Sequence, residues 1–154
     1  MGMEIERKFL VRNTAMLDNQ SGQDLRQGYL SHTPETTVRV RIQGEQAWLT
    51  VKGRNEGARR AEFEYAVPVA DAREMLALCP AGRIEKTRYR LPIGEHVWEV
   101  DVFHGDNDGL IVAEIELNHE DDAFELPAWI GKEVTDDARY YNSQLSQTPF
   151  CRWF

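Results

Sequence analysis

Charged side chains recur at every second position in one short segment after another of this 154-residue chain. Alternate residues of a β-strand point to the same face, so each segment predicts a strand with one charged face and one apolar face. Gly, Pro, Asn and Asp separate the segments, as is typical of antiparallel strands joined by turns. The pattern therefore predicts a mainly antiparallel sheet.

Eight strands and two helices follow from this pattern. The predicted strands are Glu4–Arg12, Leu25–His32, Thr36–Gln43, Gln46–Gly53, Arg60–Pro68, Arg83–Pro92, His96–Phe103 and Leu110–Asn118. The predicted helices are Ala70–Leu78 and Asp136–Ser146, the second following the candidate N-cap Thr135. A chain of this length with 42% hydrophobic residues can build one core, so we expect a single α+β domain over residues 1–154.

The charged faces of these strands separate carboxylates from cations. Their members are Glu4, Glu6, Lys8, Arg39, Arg41, Lys52, Glu62, Glu64, Lys86, Arg88, Arg90, Glu99, Asp101, Glu114 and Glu116. Glu-x-Glu occurs on three strands, with neighbouring carboxylates roughly 6.5–7 Å apart. One interpretation is the solvated outer face of a two-layer protein. Solvated faces usually mix signs, however, whereas carboxylates gather around divalent ions and cations bind phosphate oxygens.

A closed barrel would bring these charged faces together. Eight strands are about the minimum that encloses one small ligand, and closure also removes exposed sheet edges. Burial of so many charges requires opposite charges, metal and ligand to compensate one another. The apolar faces would then form the packed layers beneath helices and between sheets, with Ile5, Phe9, Val11, Val38, Val40, Ile42, Leu49, Val51, Phe63, Tyr65, Val67, Ile111, Ala113, Ile115 and Leu117 as members.

Composition limits the partners of such a barrel. The formal net charge of -8 argues against duplex nucleic acid as a ligand, because nucleic-acid binders carry an excess of Lys and Arg. Cys79 and Cys151 lack metal or redox spacing, which indicates reduced thiols in a cytoplasmic protein. The sequence contains neither a secretory signal pattern nor an apolar run of the ~20 residues that a membrane-spanning helix needs, so we expect no membrane partner. Whether two copies of the chain form a homodimer stays open at this point.

The segment Glu4-Ile5-Glu6-Arg7-Lys8 resembles the E-x-E-x-K signature of the CYTH superfamily, also called triphosphate tunnel metalloenzymes. Further matches follow in order at Arg39-Val-Arg41, Thr50-Val-Lys52, Arg60-Ala-Glu62-Phe-Glu64, Lys86-Thr-Arg88, Glu99-Val-Asp101 and Glu114-Ile-Glu116. The resemblance therefore covers nearly the whole chain. The segment Arg26-Gln27-Gly28-Tyr29-Leu30 is also similar to bacterial members that act on inorganic tripolyphosphate.

The resemblance implies an eight-stranded closed antiparallel barrel whose polar tunnel binds a triphosphate and a divalent metal, Mg²⁺ or Mn²⁺. The implied metal ligands are Glu4, Glu6, Glu114 and Glu116, while Glu62, Glu64 and Asp101 would complete a second site, orient waters or balance cations. The implied phosphate-binding residues are Lys8, Arg39, Arg41, Lys52, Lys86, Arg88 and Arg90. Lys86, Arg88 and Tyr29 are the candidate catalytic residues, with Tyr29 either ordering the attacking water or packing.

The expected function is hydrolysis of a small triphosphate, with inorganic tripolyphosphate as the leading substrate. The same fold and phosphate-binding residues would also serve a class IV adenylate cyclase or a thiamine or nucleoside triphosphatase. A non-catalytic polyphosphate-binding module is a further alternative. Two segments are ambiguous: the basic loop Lys52–Arg60 is either an entrance lid or a solvated hairpin, and Arg139 with Tyr140 either closes a tunnel mouth or lies on the surface.

Overall fold

The computed structural model describes residues 2–154, which form nine β-strands and two α-helices. The strands are β1 (Met3–Val11), β2 (Gln23–His32), β3 (Thr36–Gln43), β4 (Gln46–Gly53), β5 (Arg59–Val67), β6 (Ile84–Ile93), β7 (His96–Phe103), β8 (Ile111–Glu116) and β9 (Ile130–Glu133). The helices are α1 (Val69–Leu78) and α2 (Asn142–Gln147), and no helix in the described residues is long and apolar enough to cross a membrane. All eight predicted strands are present, and their ends lie within two residues of prediction.

The strands form a closed antiparallel barrel in the order β5-β4-β3-β2-β6-β7-β8-β1, and β1 returns to pair with β5. The closing seam is short, because Met3, Glu4 and Ile5 are the only β1 residues that pair with β5. Further along, β1 pairs with the ninth strand, β9, which the sequence did not predict. The predicted eight-stranded closed antiparallel barrel is therefore confirmed, with one strand added beside it.

Two apolar clusters cover the outward faces of the barrel. Outside β1, β7 and β8, the rings of Phe9 and Trp98 lie 5.5 Å apart, and Trp129 packs against Trp98 from the segment that follows β8. Outside β2, β3 and β4, helix α1 buries Leu76 against Val40 and its neighbours. Because these clusters occupy the outer faces, the alternate side chains of the same strands point into the barrel.

A third apolar cluster fills one end of the barrel. On β6 the inward-facing row begins with Ile84 before its charged members, and on β7 it ends with Phe103. Leu145 of α2 packs against both residues and is 1% exposed. Helix α2 therefore closes this end of the barrel. The cluster of Ile84, Phe103, Leu110, Val112 and Leu145 forms an apolar floor, and the charged inward-facing residues of the strands lie above it.

The predicted helix Asp136–Ser146 is wrong in its first half. A short 3-10 turn covers Ala138–Tyr140, and Tyr141 then adopts extended backbone angles, φ -70° and ψ 136°, before α2 begins. Thr135 does not cap a helix, because its hydroxyl accepts a 3.0 Å hydrogen bond from the backbone N–H of Lys8. Contacts with a distant strand have therefore overridden the local helical tendency.

The expected packing of Phe63 and Tyr65 is also wrong. Both lie on the outward face of β5, where Phe63 is 49% and Tyr65 63% exposed. Helix α1 packs against Val40, Ile42 and Ala47, and these two rings stay outside that cluster. Alternation predicts which residues share a face, but it does not predict how far one helix extends across that face.

Candidate active site

The inside of the barrel contains a cavity of about 170 Å³ above the apolar floor. It is lined by Glu4, Glu6, Lys8, Tyr29, Thr37, Arg39, Arg41, Lys52, Asn55, Arg60, Glu62, Glu64, Lys86, Arg88, Glu99, Glu114, Glu116, Thr135, Tyr141, Asn142 and Ser143. Seven of these residues are carboxylates and seven are cations, and no described residue with an aliphatic side chain is among them. The lining therefore suits a small ligand with high charge density.

All but two of the charged candidate residues lie in this lining, the exceptions being Arg90 and Asp101. Arg90 lies outside the cavity, with its side chain 61% exposed and paired to Glu99 at 2.6 Å. Tyr29 lines the cavity, whereas Arg139 does not and forms an exposed ion pair with Asp137. Loop residue Asn55 also reaches the lining.

Carboxylates face carboxylates on the acidic side of the cavity. The strand register puts Glu6 directly opposite Glu116 and Glu99 directly opposite Glu114, at cross-strand Cβ separations of about 4.5–5.5 Å. Burial raises the pKa of Glu6 well above its usual range, and the carboxylates of Glu114 and Glu4 raise it further. A divalent cation would stabilise this cluster of carboxylate oxygens, because the neighbouring cations neutralise only part of its negative charge.

Two lysines already compensate part of this acidic side. The ammonium of Lys8 lies 2.9 Å from a Glu114 oxygen, and the ammonium of Lys52 lies 3.0 Å from a Glu4 oxygen. Burial raises the pKa of both glutamates, but Lys52 beside Glu4, and Lys8 with Arg88 beside Glu114, outweigh burial and lower both pKa values. Among the described residues, no three acidic, His or Cys side chains are arranged around one point as a ready-made metal site. A bound cation would therefore have to displace lysine contacts.

Deeper in the cavity, cations outnumber their partners. Burial, together with the nearby charges of Arg39 and Arg88, lowers the pKa of Arg41 to about 9. Burial likewise lowers the pKa of Lys86 to about 7 against the attraction of Asp101. The Nε atom of Arg39 is buried and has no hydrogen-bond partner among residues 2–154. A bound anion would satisfy this donor and relieve the repulsion.

Asp101 lies beneath the lining and is 1% exposed. Its two oxygens accept hydrogen bonds of 2.8 and 2.9 Å from the Arg88 guanidinium, and one of them lies 2.7 Å from the Lys86 ammonium. Burial favours the neutral acid, but the two cations prevail and lower the pKa of Asp101 to about 2. Both oxygens are thus engaged by protein cations.

Two amides that the sequence pattern did not single out connect the deep cations. Arg41 Nε donates to Gln27 Oε1 at 2.8 Å, and Gln27 Nε2 donates to Asn142 Oδ1 at 3.0 Å. Lys86 Nζ also donates to Asn142 Oδ1, at 2.9 Å. Gln27 lies two residues before Tyr29 on the same face of β2, so alternation could have identified it. Asn142 had no such signal, because it comes from the segment predicted as a continuous helix.

The closed barrel and its enclosed carboxylates and cations define a class of protein that holds a small, highly charged ligand inside a barrel. Residues 2–149 match the family model of the CYTH domain. The chain belongs to the CYTH domain family, as the resemblance in its charged motifs implied.

Named relatives agree with this membership. The chain is 46% identical over 151 residues to an inorganic triphosphatase from Acetivibrio thermocellus, covering 97% of both chains. It is 40% identical over 149 residues to an inorganic triphosphatase from Nitrosomonas europaea, covering 93% of this chain and 96% of the relative. A solved crystal structure of an inorganic triphosphatase matches with a TM-score of 0.67 at 36% identity, covering 92% of this chain and 96% of that chain.

Proposed function

We propose that this protein is a metal-dependent hydrolase of inorganic triphosphate and cleaves tripolyphosphate inside its barrel. The cavity carries the proposal, because its volume of about 170 Å³ is small beside the roughly 300–1,000 Å³ of pockets for drug-sized ligands. Its only aromatic lining residues among those described are Tyr29 and Tyr141, so it offers little surface to a nucleoside. The names of the two sequence relatives support the same substrate.

The cations of the lining would bind the phosphates. The residues assigned to this role are Lys8, Arg39, Arg41, Lys52, Lys86 and Arg88. Arginines provide forked donors for phosphate oxygens, and lysines act as point charges. The unpartnered Nε of Arg39 and the lowered pKa of Arg41 support this role, because both observations indicate a missing anionic partner. Arg90, whose exposed side chain pairs with Glu99 of the lining, would help to attract the anion from solvent.

The acidic side of the cavity would hold Mg²⁺ or Mn²⁺. The proposed ligands are Glu4, Glu6, Glu114 and Glu116, an all-oxygen set that fits such a hard cation. When bound, the metal neutralises phosphate charge and polarises water. Glu62 and Glu64 lie 3.4 Å from Lys52 and 3.6 Å from Arg39, so orienting these cations is their proposed role. For Asp101, its two cationic partners support charge balance as its role.

Hydrolysis would then depend on positioning and charge stabilisation by the chain. Phosphoryl transfer develops charge on the phosphate oxygens, and preorganised cations stabilise that charge without rearranging. Lys86 and Arg88 are suited to this role because Asp101 holds both from beneath. Tyr29 is buried and lines the cavity, so its hydroxyl is available to orient the attacking water.

A substrate panel tests this proposal. The purified protein is incubated with tripolyphosphate, ATP or thiamine triphosphate in Mg²⁺ or Mn²⁺, and phosphate and cyclic AMP are quantified. We expect the highest kcat/KM with tripolyphosphate and no turnover with EDTA. Cyclic AMP as the main product from ATP would instead indicate a cyclase, and tight binding without phosphate release would indicate a binding module. Arg139→Ala, outside the cavity, should retain wild-type activity.

We further propose that the enzyme acts in the cytoplasm. Its two cysteines, buried Cys79 and exposed Cys151, are both free thiols. Free thiols are typical of proteins in reducing compartments. Fractionation of the native cells, with detection of the full-length chain, checks this location; recovery in a membrane or extracellular fraction would contradict it.

A further inference from the structure

Two uncharged amides connect two cations at the deep end of the cavity. Arg41 extends from β3, Lys86 extends from β6, and the side chains of Gln27 and Asn142 lie between them. The connection consists of hydrogen bonds of 2.8, 3.0 and 2.9 Å, running from Arg41 to Gln27, from Gln27 to Asn142 and from Lys86 to Asn142. The residues come from four different elements, so only the folded barrel assembles this chain.

The cations determine how both amides are oriented. Arginine and lysine side chains only donate hydrogen bonds, so Gln27 must turn its oxygen toward Arg41. Its NH₂ group then points to Asn142, whose oxygen accepts from both Gln27 and Lys86. The side-chain hydrogen bonds of Asn142 within the described chain all end on its oxygen, so its carboxamide nitrogen has no partner there, and Asn142 itself lines the cavity.

The amides hold the two cations without neutralising them. The charge of Arg41 is one of the causes that lower the pKa of Lys86, so the two side chains repel each other. Carboxylates at these positions would relieve the repulsion, but they would also reduce the positive charge available to a phosphate. Amide oxygens satisfy the donors and leave that charge intact. The neutral chemistry of these side chains is therefore suited to an anion site.

We propose that Gln27 and Asn142 are positioning residues that fix Arg41 and Lys86 for the bound phosphates, and that the free carboxamide nitrogen of Asn142 also donates to a phosphate oxygen. This inference rests on the proposed triphosphatase function. Asn142 belongs to α2, which Leu145 anchors in the apolar floor of the barrel. The helix that closes the barrel thus also contributes to the substrate site.

Substitutions at Asn142 separate the two parts of the inference. Asn142→Leu keeps a similar shape but removes both donor and acceptor, and we expect kcat/KM for tripolyphosphate to fall roughly 10- to 100-fold, as for loss of charge-assisted hydrogen bonds. Asn142→Asp keeps the acceptor but replaces the donor with a negative charge. We expect this variant to retain its melting temperature and to raise KM about tenfold or more, because the carboxylate repels phosphate. An unchanged KM in Asn142→Asp would overturn the proposed phosphate contact.

Gln147 provides a matched control on the same helix. Its amide also joins α2 to β2, through a 2.8 Å contact with His32, but it lies outside the cavity. Gln147→Leu should therefore leave kcat and KM unchanged. If Asn142→Leu matched Gln147→Leu in both constants, the positioning role would be refuted. If Asn142→Leu failed to fold, Gln27→Met would take its place, with a similar fall in kcat/KM expected and wild-type constants counting against the inference.

Binding measurements distinguish this inference from the proposed function. If the wild type bound tripolyphosphate with Mg²⁺ but released no phosphate, the triphosphatase proposal would fail while the amide contacts could still be assessed. Isothermal titration calorimetry should then show a roughly tenfold or greater weakening of tripolyphosphate binding in Asn142→Asp. Equal affinity in wild type and variant would refute the contact.

Discussion

Replacement of Asp101 by asparagine tests how the cavity balances its buried charges. The substitution keeps the shape of the side chain but removes the negative charge that faces Lys86 and Arg88. Asp101 and Lys86 are both 1% exposed and 2.7 Å apart, and Arg88 donates two further hydrogen bonds to the same carboxylate. In the variant, two buried cations would share a neutral amide, whose nitrogen cannot accept a hydrogen bond.

The structure sets the expected size of the effect. Removing one member of a buried ion pair destabilises a protein by about 3–5 kcal/mol, because the remaining charge stays in a weakly solvated environment. For a domain of this size, 1 kcal/mol changes the melting temperature by about 2–4 °C. We therefore expect Asp101→Asn to melt about 6–20 °C below the wild type. Glu114, 3.6 Å from Arg88, remains as a partial partner and favours the lower half of that range.

Thermal unfolding followed by circular dichroism, without metal or phosphate at pH 7, measures this difference. Glu35→Gln is the matched control, because Glu35 and Arg54 form a pair whose side chains are 65% and 61% exposed. Breaking such a pair changes stability by less than about 1 kcal/mol. A melting temperature of Asp101→Asn within about 2 °C of the wild type would refute the charge-balance role.

The pH dependence of the same comparison has a defined sign. The pKa of Asp101 is about 2 in the folded protein, whereas an unperturbed aspartate has a pKa of about 3.9. A carboxyl group with a lowered folded-state pKa stabilises the fold above its unfolded pKa, and that contribution decreases as pH falls through the folded value. The wild type should therefore hold its full advantage over Asp101→Asn above about pH 4 and lose it toward pH 2.

Three further predictions address the metal, the phosphate and the core. Glu6→Gln should raise the melting temperature of the metal-free protein, and the gain should grow with pH, because the raised pKa of Glu6 means that folding disfavours its ionised form. The same variant should be stabilised less by Mg²⁺ than the wild type. An unchanged Mg²⁺ response would contradict the metal assignment. Arg39→Met should raise KM for tripolyphosphate about tenfold or more with a smaller change in kcat, and steady-state kinetics with an unaltered KM would show that this side chain does not contact substrate. Phe63→Ser should change the free energy of unfolding in urea by less than about 1 kcal/mol, whereas Trp98→Ala should lower it by about 3–5 kcal/mol; equal losses would show that the outer face of β5 is packed.

The barrel and much of its site could be predicted because the information is local. In β1, the inward-facing residues Glu4, Glu6 and Lys8 occupy every second position, and the opposite face contains Ile5 and Phe9. A period of two identifies the strand and assigns its residues to two faces without any knowledge of the rest of the chain. Eight such segments, joined by turn residues, limited the architecture to a closed barrel or a two-layer protein with a solvated charged face.

The remaining features depend on contacts between distant parts of the chain. Strand β9 has four residues and no alternation, and it is strand-like because it pairs with β1. Thr135 binds the backbone of Lys8, 127 residues away in sequence, and Tyr141 is extended before α2 begins. Asn142 is the first residue of α2 and lines the cavity. No local pattern encodes these contacts, so the sequence could not assign Asn142 to the site.

The overall charge of the chain and the charge of its site are physically separate quantities. The chain has a formal charge of -8, yet the cavity lining contains seven cations and seven carboxylates, so the acidic excess lies outside this lining. Exposed charges are screened over a Debye length of about 8 Å at physiological ionic strength, whereas buried charges are screened much less. The enclosed cations, Arg41 and Lys86 among them, would therefore act on a bound anion more strongly than the exposed carboxylates do. An acidic protein can bind a polyanion when its cations are enclosed and its carboxylates are shared with metal.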